Sequence, residues 1–163
     1  MVDLIRTPAE TRPARMEPLA RLPVFLALDG KRAVLAGGSA AAAWKAELLS
    51  AAGARVDVYT EAPSDELLLI ASDPPRGAIA IDRRGWVADD LAGAAVAIGA
   101  FDDDVSAAAF VAAARAEGVP VNVIDKPAFC DFAFGAIVNR SPLVIGISTD
   151  GAAPVFAQAI RAK

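Results

Sequence analysis

The chain has 163 residues, of which 55% are hydrophobic, and it carries a formal net charge of −4. This length suits one domain with a well-filled core, or one domain with an appendage. The acidic balance, without a cluster of lysine and arginine, argues against a nucleic-acid partner, and no apolar run reaches the roughly 18 residues of a membrane span.

The sequence contains no histidine and a single cysteine, Cys130. The lack of histidine removes the usual general base and the usual metal ligand, so carboxylates remain as the proton-transfer groups near neutral pH, and we expect no resident metal. A lone cysteine cannot form an intramolecular disulfide, which fits a reducing, cytoplasmic setting. We expect Cys130 to be a small buried hydrophobic residue.

Residues 1–21 mix arginine with acidic residues and contain no apolar segment of the kind found in signal peptides. We expect them to form a polar lead-in outside the fold. The apolar run at residues 22–28 ends at the turn dipeptide Asp29-Gly30. We expect this run to lie against the edge of the first strand.

The stretch from residue 31 to residue 60 has the pattern of a strand, a glycine turn, a helix and a second strand. It contains, in order, an apolar run (residues 33–36), Gly37-Gly38-Ser39, a helix-forming segment (residues 40–52), Gly53, and a β-type run (residues 55–59). A βαβ unit of this kind binds a dinucleotide pyrophosphate at its helix N-terminus.

The glycine-type positions of such a turn fall on Gly37, Ser39 and Ala42. Glycine at the middle position normally lets the backbone approach the pyrophosphate, so Ser39 either moves the phosphate outward or donates its hydroxyl to it. Glu61 follows the second β-type run, about where a ribose-binding acid is expected. The alternative is a glycine turn that only packs a helix on a sheet; the surrounding pattern favours the nucleotide.

The next segments continue to alternate between helical and β-type patterns. They are a short helix introduced by Pro63 and Ser64 that ends near residue 71, a weak strand (residues 78–81), one or two helical turns (residues 87–91), a strand (residues 94–100), an alanine-rich helix (residues 105–117) and a strand (residues 120–124). This alternation predicts an α/β fold with a Rossmann-like, doubly wound parallel sheet.

The pattern changes after Lys126. Two β-type runs, at residues 132–138 and 143–148, have no helix between them, which predicts an antiparallel hairpin. A last helix is predicted at residues 155–162. A hairpin and a helix beyond a complete sheet indicate either a dimer contact or the stub of a missing piece.

Two groups of acids are candidates for chemistry. Asp125 follows the last parallel strand, at the sheet edge where ligands bind in open α/β folds, and it serves either as a base or as a cap of the next turn. Asp102, Asp103 and Asp104 precede a helix. Because adjacent residues rarely aim three carboxylates at one ion, we expect a helix N-cap there and no metal cluster.

Taken together and in order, these motifs resemble the precorrin-2 dehydrogenase/sirohydrochlorin ferrochelatase domain of siroheme synthases. The resemblance runs from residue 22 to residue 162. Its carriers are LPVF at Leu22, AGGSAAAAWKAELL at Ala36, AGARV at Ala52, DDD at Asp102, VNVID at Val121, NRSPLVIGIS at Asn139 and GAAPVFAQAIR at Gly151.

The resemblance implies an NAD-binding Rossmann domain at residues 22–128 and a dimerisation segment at residues 129–163 that joins a homodimer, with the family's C-terminal helical part absent. The family oxidises precorrin-2 to sirohydrochlorin with NAD, and many members then insert ferrous iron to give siroheme. Its catalytic aspartate falls on Asp125. The expected cofactor contacts are the turn Gly37, Gly38 and Ser39 together with Ala40, Ala41, Glu61 and Ala62.

Two positions depart from the family pattern: Ser39 replaces a common third glycine, and Trp44 stands where an arginine is frequent. Precorrin-2 carries eight carboxylates, so we expect its binding site to contain cations. The candidates are Lys126, Arg140 and Arg161, although each is explained equally well as a solvated surface charge. Thr149 occupies the place of a modifiable serine in some members, and we infer no regulation from it.

Two other classes of function remain open from the sequence. A non-catalytic NAD(H)-sensing module would keep Gly37 and Glu61 but would have no need of Asp125. A structural remnant that dimerises and binds nothing well is compatible with Ser39.

Overall fold

The computed structural model describes residues 16–149. Residues 1–15 of the lead-in, the helix expected at residues 155–162 and Arg161 lie outside the described residues. The chain divides into two compact units. One is Phe25–Phe134, and the other includes residues 135–149.

The first unit is built on a sheet of five parallel strands in the order β3-β2-β1-β4-β5. The strands are β1 (Arg32–Ala36), β2 (Arg55–Tyr59), β3 (Ala78–Asp82), β4 (Val96–Gly99) and β5 (Val121–Val123). The chain reverses its winding direction between β1 and β4, so the predicted doubly wound sheet is confirmed. In such sheets ligands bind where the direction reverses, outside the carboxyl ends of the strands.

Three helices connect the strands: α1 (Ala40–Ala51), α2 (Asp65–Ser72) and α3 (Asp104–Ala116). Each begins at a side-chain cap, supplied by Ser39, Ser64 and Asp103 respectively. The capping oxygen accepts a hydrogen bond of 2.7 to 3.3 Å from the backbone N–H three residues later. The helix-cap prediction for the three-aspartate run is therefore confirmed, with Asp103 as the cap.

The sheet has a hydrophobic layer on each face. Along β1 the side chains alternate between the two layers: Ala33 and Leu35 belong to one core cluster, and Val34 and Ala36 to the other. All four are fully buried. A strand covered on both faces needs a continuous apolar run, which is why residues 33–36 carry no polar side chain.

The expectation for residues 22–28 is wrong. Strand β1 pairs with β2 on one side and with β4 on the other, so it has no free edge to cover. The side chains of residues 22–27 are exposed, and only Leu28 is buried. Within residues 16–149, no helix is long and apolar enough to cross a membrane.

The second unit contains the predicted antiparallel hairpin, formed by β6 (Ala136–Arg140) and β7 (Leu143–Ile147). Strand β6 begins later than the predicted run at residues 132–138. Phe132 and Phe134, which open that run, pack instead against the core of the first unit, with their ring centroids 5.5 Å apart. Phe132 and Phe134 are partly buried and Ala133 between them is exposed, so the burial alternates as in a strand although β6 begins only at Ala136.

Candidate functional site

A cavity of about 610 Å³ opens at the carboxyl end of the parallel sheet. Its wall includes five of the residues expected from the sequence to form the site: Gly38, Ser39, Ala41, Ala62 and Asp125. The other three expected residues, Gly37, Ala40 and Glu61, are chain neighbours of these but do not line the cavity. The turn after β1 and the turn after β5 are thus brought to one place, although they are far apart in the sequence.

The glycines after β1 bring the backbone close to two other loops. Gly37 has φ +121°, and a Cβ there would lie 2.7 Å from the carbonyl oxygen of Ala100. A Cβ at Gly38 would collide with the carbonyl oxygen of Ala62 and the hydroxyl of Thr60. A backbone without side chains therefore forms this part of the cavity wall, as the approach of a pyrophosphate requires.

Ser39, which departs from the family's glycine, caps helix α1. Its Oγ accepts a hydrogen bond of 3.2 Å from the backbone N–H of Ala42. The backbone N–H groups of Ala40 and Ala41 stand in the first turn, where no intrahelical acceptor reaches them, and Ala41 lines the cavity. Serine is therefore compatible with an anion site at this helix N-terminus, because its hydroxyl proton is still available to donate.

Asp125 has an uncommon backbone conformation. Its φ is +60°, the left-handed region that few residues other than glycine adopt. Strain of this kind persists where the surroundings fix the backbone, and it concentrates at functional sites. Here the neighbours are fixed by hydrogen bonds, from the N–H of Ile124 to the carbonyl of Gly99 (2.8 Å) and from that of Lys126 to Val123 (3.2 Å).

The carboxylate of Asp125 is exposed at the cavity wall. Within residues 16–149 it accepts no hydrogen bond and forms no ion pair, so it does not cap the turn that follows. A carboxylate with both oxygens available to a ligand is able to accept a proton from it.

The turn after β5, which carries Asp125, also supplies a cation to the cavity wall. Lys126 lines the cavity, and its Nζ lies 2.6 Å from the carboxylate of Asp104, at the start of α3. Arg140 belongs to the second unit, where its guanidinium donates to the carbonyl of Asn139. Lys126 is therefore a cation of the cavity wall itself.

Cys130 is not the buried hydrophobic residue expected from the sequence. It is partly buried, and its Sγ accepts hydrogen bonds of 3.3 Å from Asn122 Nδ2 and from the N–H of Val123. It also lies 3.2 Å from the carbonyl oxygen of Val123. The thiol satisfies the polar groups left by the end of β5 and so closes the loop that carries Asp125.

Sequence reasoning missed five residues of the cavity wall: Ser64, Ala100, Phe101, Asp102 and Ile124. Ser64 is recognisable from sequence as a helix cap, but its backbone N–H also donates to the carbonyl of Gly38 at 2.7 Å, which only the tertiary structure reveals. Within residues 16–149, no group of three or more acidic or cysteine side chains is arranged to hold a metal ion.

Comparisons with known proteins agree with this geometry. A family model described as "Putative NAD(P)-binding" matches residues 24–136. The siroheme synthases of Ectopseudomonas mendocina and Stutzerimonas stutzeri are 46% and 45% identical to the chain over 142 residues, which is 87% of this chain and 30% of each relative. The chain thus spans about a third of the length of these relatives.

Among solved structures, "SirC, precorrin-2 dehydrogenase" superposes with a TM-score of 0.65. The match covers 87% of this chain and 68% of that chain, with 21% sequence identity. At that identity the comparison establishes a shared fold.

Proposed function

The chain belongs to the NAD(P)-binding family, and from this premise we propose that it binds NAD at the cavity and oxidises precorrin-2 to sirohydrochlorin. The observation that carries the proposal is the carboxylate of Asp125, which makes no hydrogen bond and no ion pair within residues 16–149 and lies on the same cavity wall as Gly38 and Ser39. Similarity to siroheme synthases supports the choice of substrate. Conversion of precorrin-2 by the chain, followed by absorption spectroscopy, tests it.

The cavity wall fits the cofactor because, at Gly38, the wall is formed by backbone that carries no side chain. Gly38 lets the backbone lie against Ala62 and Thr60 with no Cβ between them, and the first turn of α1 offers N–H groups to a pyrophosphate. When bound, the nicotinamide would accept the hydride. Asp125 would receive the proton lost from the same substrate, and Lys126 would attract the substrate's carboxylates.

The same carboxylate supports a second reaction, insertion of ferrous iron as a substrate into sirohydrochlorin. The macrocycle's nitrogens bind the iron and must lose two protons, so the protein needs a proton acceptor more than a metal site. Asp125 would accept these protons one at a time and, because it is exposed, pass each of them to water. A module that only senses NAD(H) would have no use for a strained residue at this position.

The cofactor preference is expected to be for NAD over NADP by about tenfold or more. Glu61 is separated from the end of β2 by Thr60 and is exposed, beside the cavity residue Ala62. Its carboxylate would accept a hydrogen bond from a ribose 2′-hydroxyl but would repel a 2′-phosphate. Fluorescence titration of Glu61→Arg should show the preference for NAD narrowed or reversed, whereas Glu47→Arg, at an exposed residue of helix α1, should leave it unchanged. Equal affinity of the unmodified chain for the two cofactors would contradict this assignment.

We further propose that a second copy of the chain covers the hairpin of the second unit. Leu143, Val144 and Ile145 of β7 are 60%, 42% and 44% exposed, so both faces of the strand are open. A two-stranded sheet is only marginally stable alone, and apolar edge strands need cover. Interfaces between identical subunits supply such cover.

Light scattering at micromolar concentration should therefore show a dimer, and Val144→Glu should shift it towards monomer. Leu69→Glu, at a residue of α2 that is 74% exposed, introduces the same charge elsewhere and should leave the dimer intact. A monomer in the unmodified chain would refute the dimer.

A further inference from the structure

The cavity wall carries two large apolar residues, Phe101 and Ile124. The other residues that line the cavity are glycine, alanine, serine or charged residues. Phe101 lies two residues after Gly99, the last residue of β4, and Ile124 directly follows β5. The apolar part of the wall therefore lies on the side of β4 and β5, and not at the glycine turn after β1.

The ring of Phe101 is fixed by its neighbours. It is partly buried, and its centroid lies 5.3 Å from that of Phe110, whose side chain is fully buried. Phe110 in turn packs edge to face against Trp86, with the centroids 5.0 Å apart. Gly99 makes room for this arrangement, because a Cβ there would lie 2.6 Å from Cε2 of Phe101. A ring that is already ordered loses little further freedom when a ligand packs against it.

The strand order decides which half of a dinucleotide would reach Phe101. Strand β1 is the middle strand of the sheet, and the pyrophosphate is expected at the turn that follows it. Glu61, after β2, is the proposed contact of the adenosine ribose. The other half of the dinucleotide would then extend over β4 and β5, where Phe101 and Asp125 line the cavity.

The proposed reaction requires the nicotinamide on this same side. One substrate molecule would give its hydride to the nicotinamide and its proton to Asp125, so the nicotinamide and the carboxylate must both lie beside that substrate. Phe101 and Asp125 belong to the same cavity wall, after neighbouring strands of the sheet. An aromatic side chain at this place offers a flat ring the contact that favours ring packing.

We propose that the ring of Phe101 packs against the nicotinamide ring of the bound cofactor and positions it on the Asp125 side of the cavity. The proposal rests on the proposed function, because it assumes that NAD binds at this cavity. Ile124 adds apolar surface to the same part of the wall. Burial of apolar surface on both residues, together with the contact between the two rings, would stabilise the bound nicotinamide.

Calorimetric titrations with NAD and with ADP-ribose test this contact. ADP-ribose has the adenosine, the pyrophosphate and the second ribose of NAD but lacks the nicotinamide. Phe101→Ala should weaken the binding of NAD by about three- to tenfold, the effect of one aromatic contact, and should leave the affinity for ADP-ribose unchanged. Phe101→Leu, which fills more of the space left by the ring, should show a smaller loss of the same kind. Phe25→Ala, at a residue that is 75% exposed and outside the cavity wall, is the control and should change neither affinity.

A nuclear Overhauser spectrum of the unmodified chain with NAD supplies a readout that no loss of stability affects. Protons of the nicotinamide ring should show contacts to the ring protons of a phenylalanine. These contacts should be absent from Phe101→Leu and present in Phe25→Ala. Contacts of the Phe101 ring with the adenine protons instead of the nicotinamide protons would overturn the proposal.

Equal losses of affinity for NAD and ADP-ribose in both Phe101 variants would assign Phe101 a packing role and overturn the proposal, and so would full affinity for NAD in Phe101→Ala. If the unmodified chain binds NAD but does not oxidise precorrin-2, the proposed function fails, and the two titrations still decide the contact with Phe101. No binding of NAD by the unmodified chain would overturn both.

Discussion

Replacing Asp125 with asparagine should lower the rate of precorrin-2 oxidation by a factor of about 10² to 10⁴, the usual worth of a positioned base. The amide keeps the shape of the side chain and tolerates the left-handed backbone at φ +60°, but it cannot accept the proton. Because the side chain makes no hydrogen bond to the protein within residues 16–149, the variant should fold normally and bind NAD almost as tightly as the unmodified chain. Single-turnover kinetics with saturating NAD would measure the loss.

Asp125→Ala should show a similar loss of turnover, and Asp125→Gly separates function from stability. Glycine adopts φ +60° without strain, so Asp125→Gly should be at least as stable as the unmodified chain while it is as inactive as Asp125→Asn. Asp89→Asn, at an exposed residue away from the cavity, serves as the control. Retention of most of the turnover by Asp125→Asn would mean that another group is the base.

Substitution of Gly38 by alanine should abolish NAD binding and destabilise the first unit. The new Cβ would collide with a backbone carbonyl, that of Ala62, and with the hydroxyl of Thr60, and neither group is the end of a flexible side chain. Overpacking of this kind costs about 3 kcal/mol, which corresponds to a fall in Tm of roughly 6 to 12 °C. Calorimetry and a cofactor titration would measure the two effects.

Gly85→Ala is the matched control for Gly38→Ala. Nothing lies within 4 Å of a Cβ built at Gly85, and its backbone is outside the left-handed region. Its stability should change by less than about 0.5 kcal/mol. If Gly38→Ala proved equally harmless, the loops around the cavity would be more pliable than the packing at Gly38 implies.

The sequence predicts the sheet and the glycine turn because both depend on local patterns. The apolar run in β1, the aspartate run before α3 and the glycine after α1 each indicate their element within a few residues. The position of the cavity, at the carboxyl ends of the strands, then follows from the general rule for open parallel sheets.

Features that depend on contacts between distant segments are not predictable in this way. Residues 22–28 are as apolar as a strand, yet β1 has no edge left for them, since β2 and β4 already occupy both sides. In the sequence, Phe132 and Phe134 resemble the start of a strand. In the structure, their rings pack against the core cluster that includes the buried side chains of α1. Lys45 is buried, and its Nζ lies 3.9 Å from the centroid of the Phe134 ring, a contact between segments that are far apart in the sequence.

The most direct test of the account is to mix the chain with precorrin-2 and NAD under anaerobic conditions and to record the absorption spectrum with time. We expect the spectrum of sirohydrochlorin to develop, with one NAD reduced for each precorrin-2 consumed, and we expect Asp125→Asn to bind NAD without this change. Binding of NAD by the unmodified chain with no sirohydrochlorin formed would contradict the account and would favour a module that only senses the cofactor.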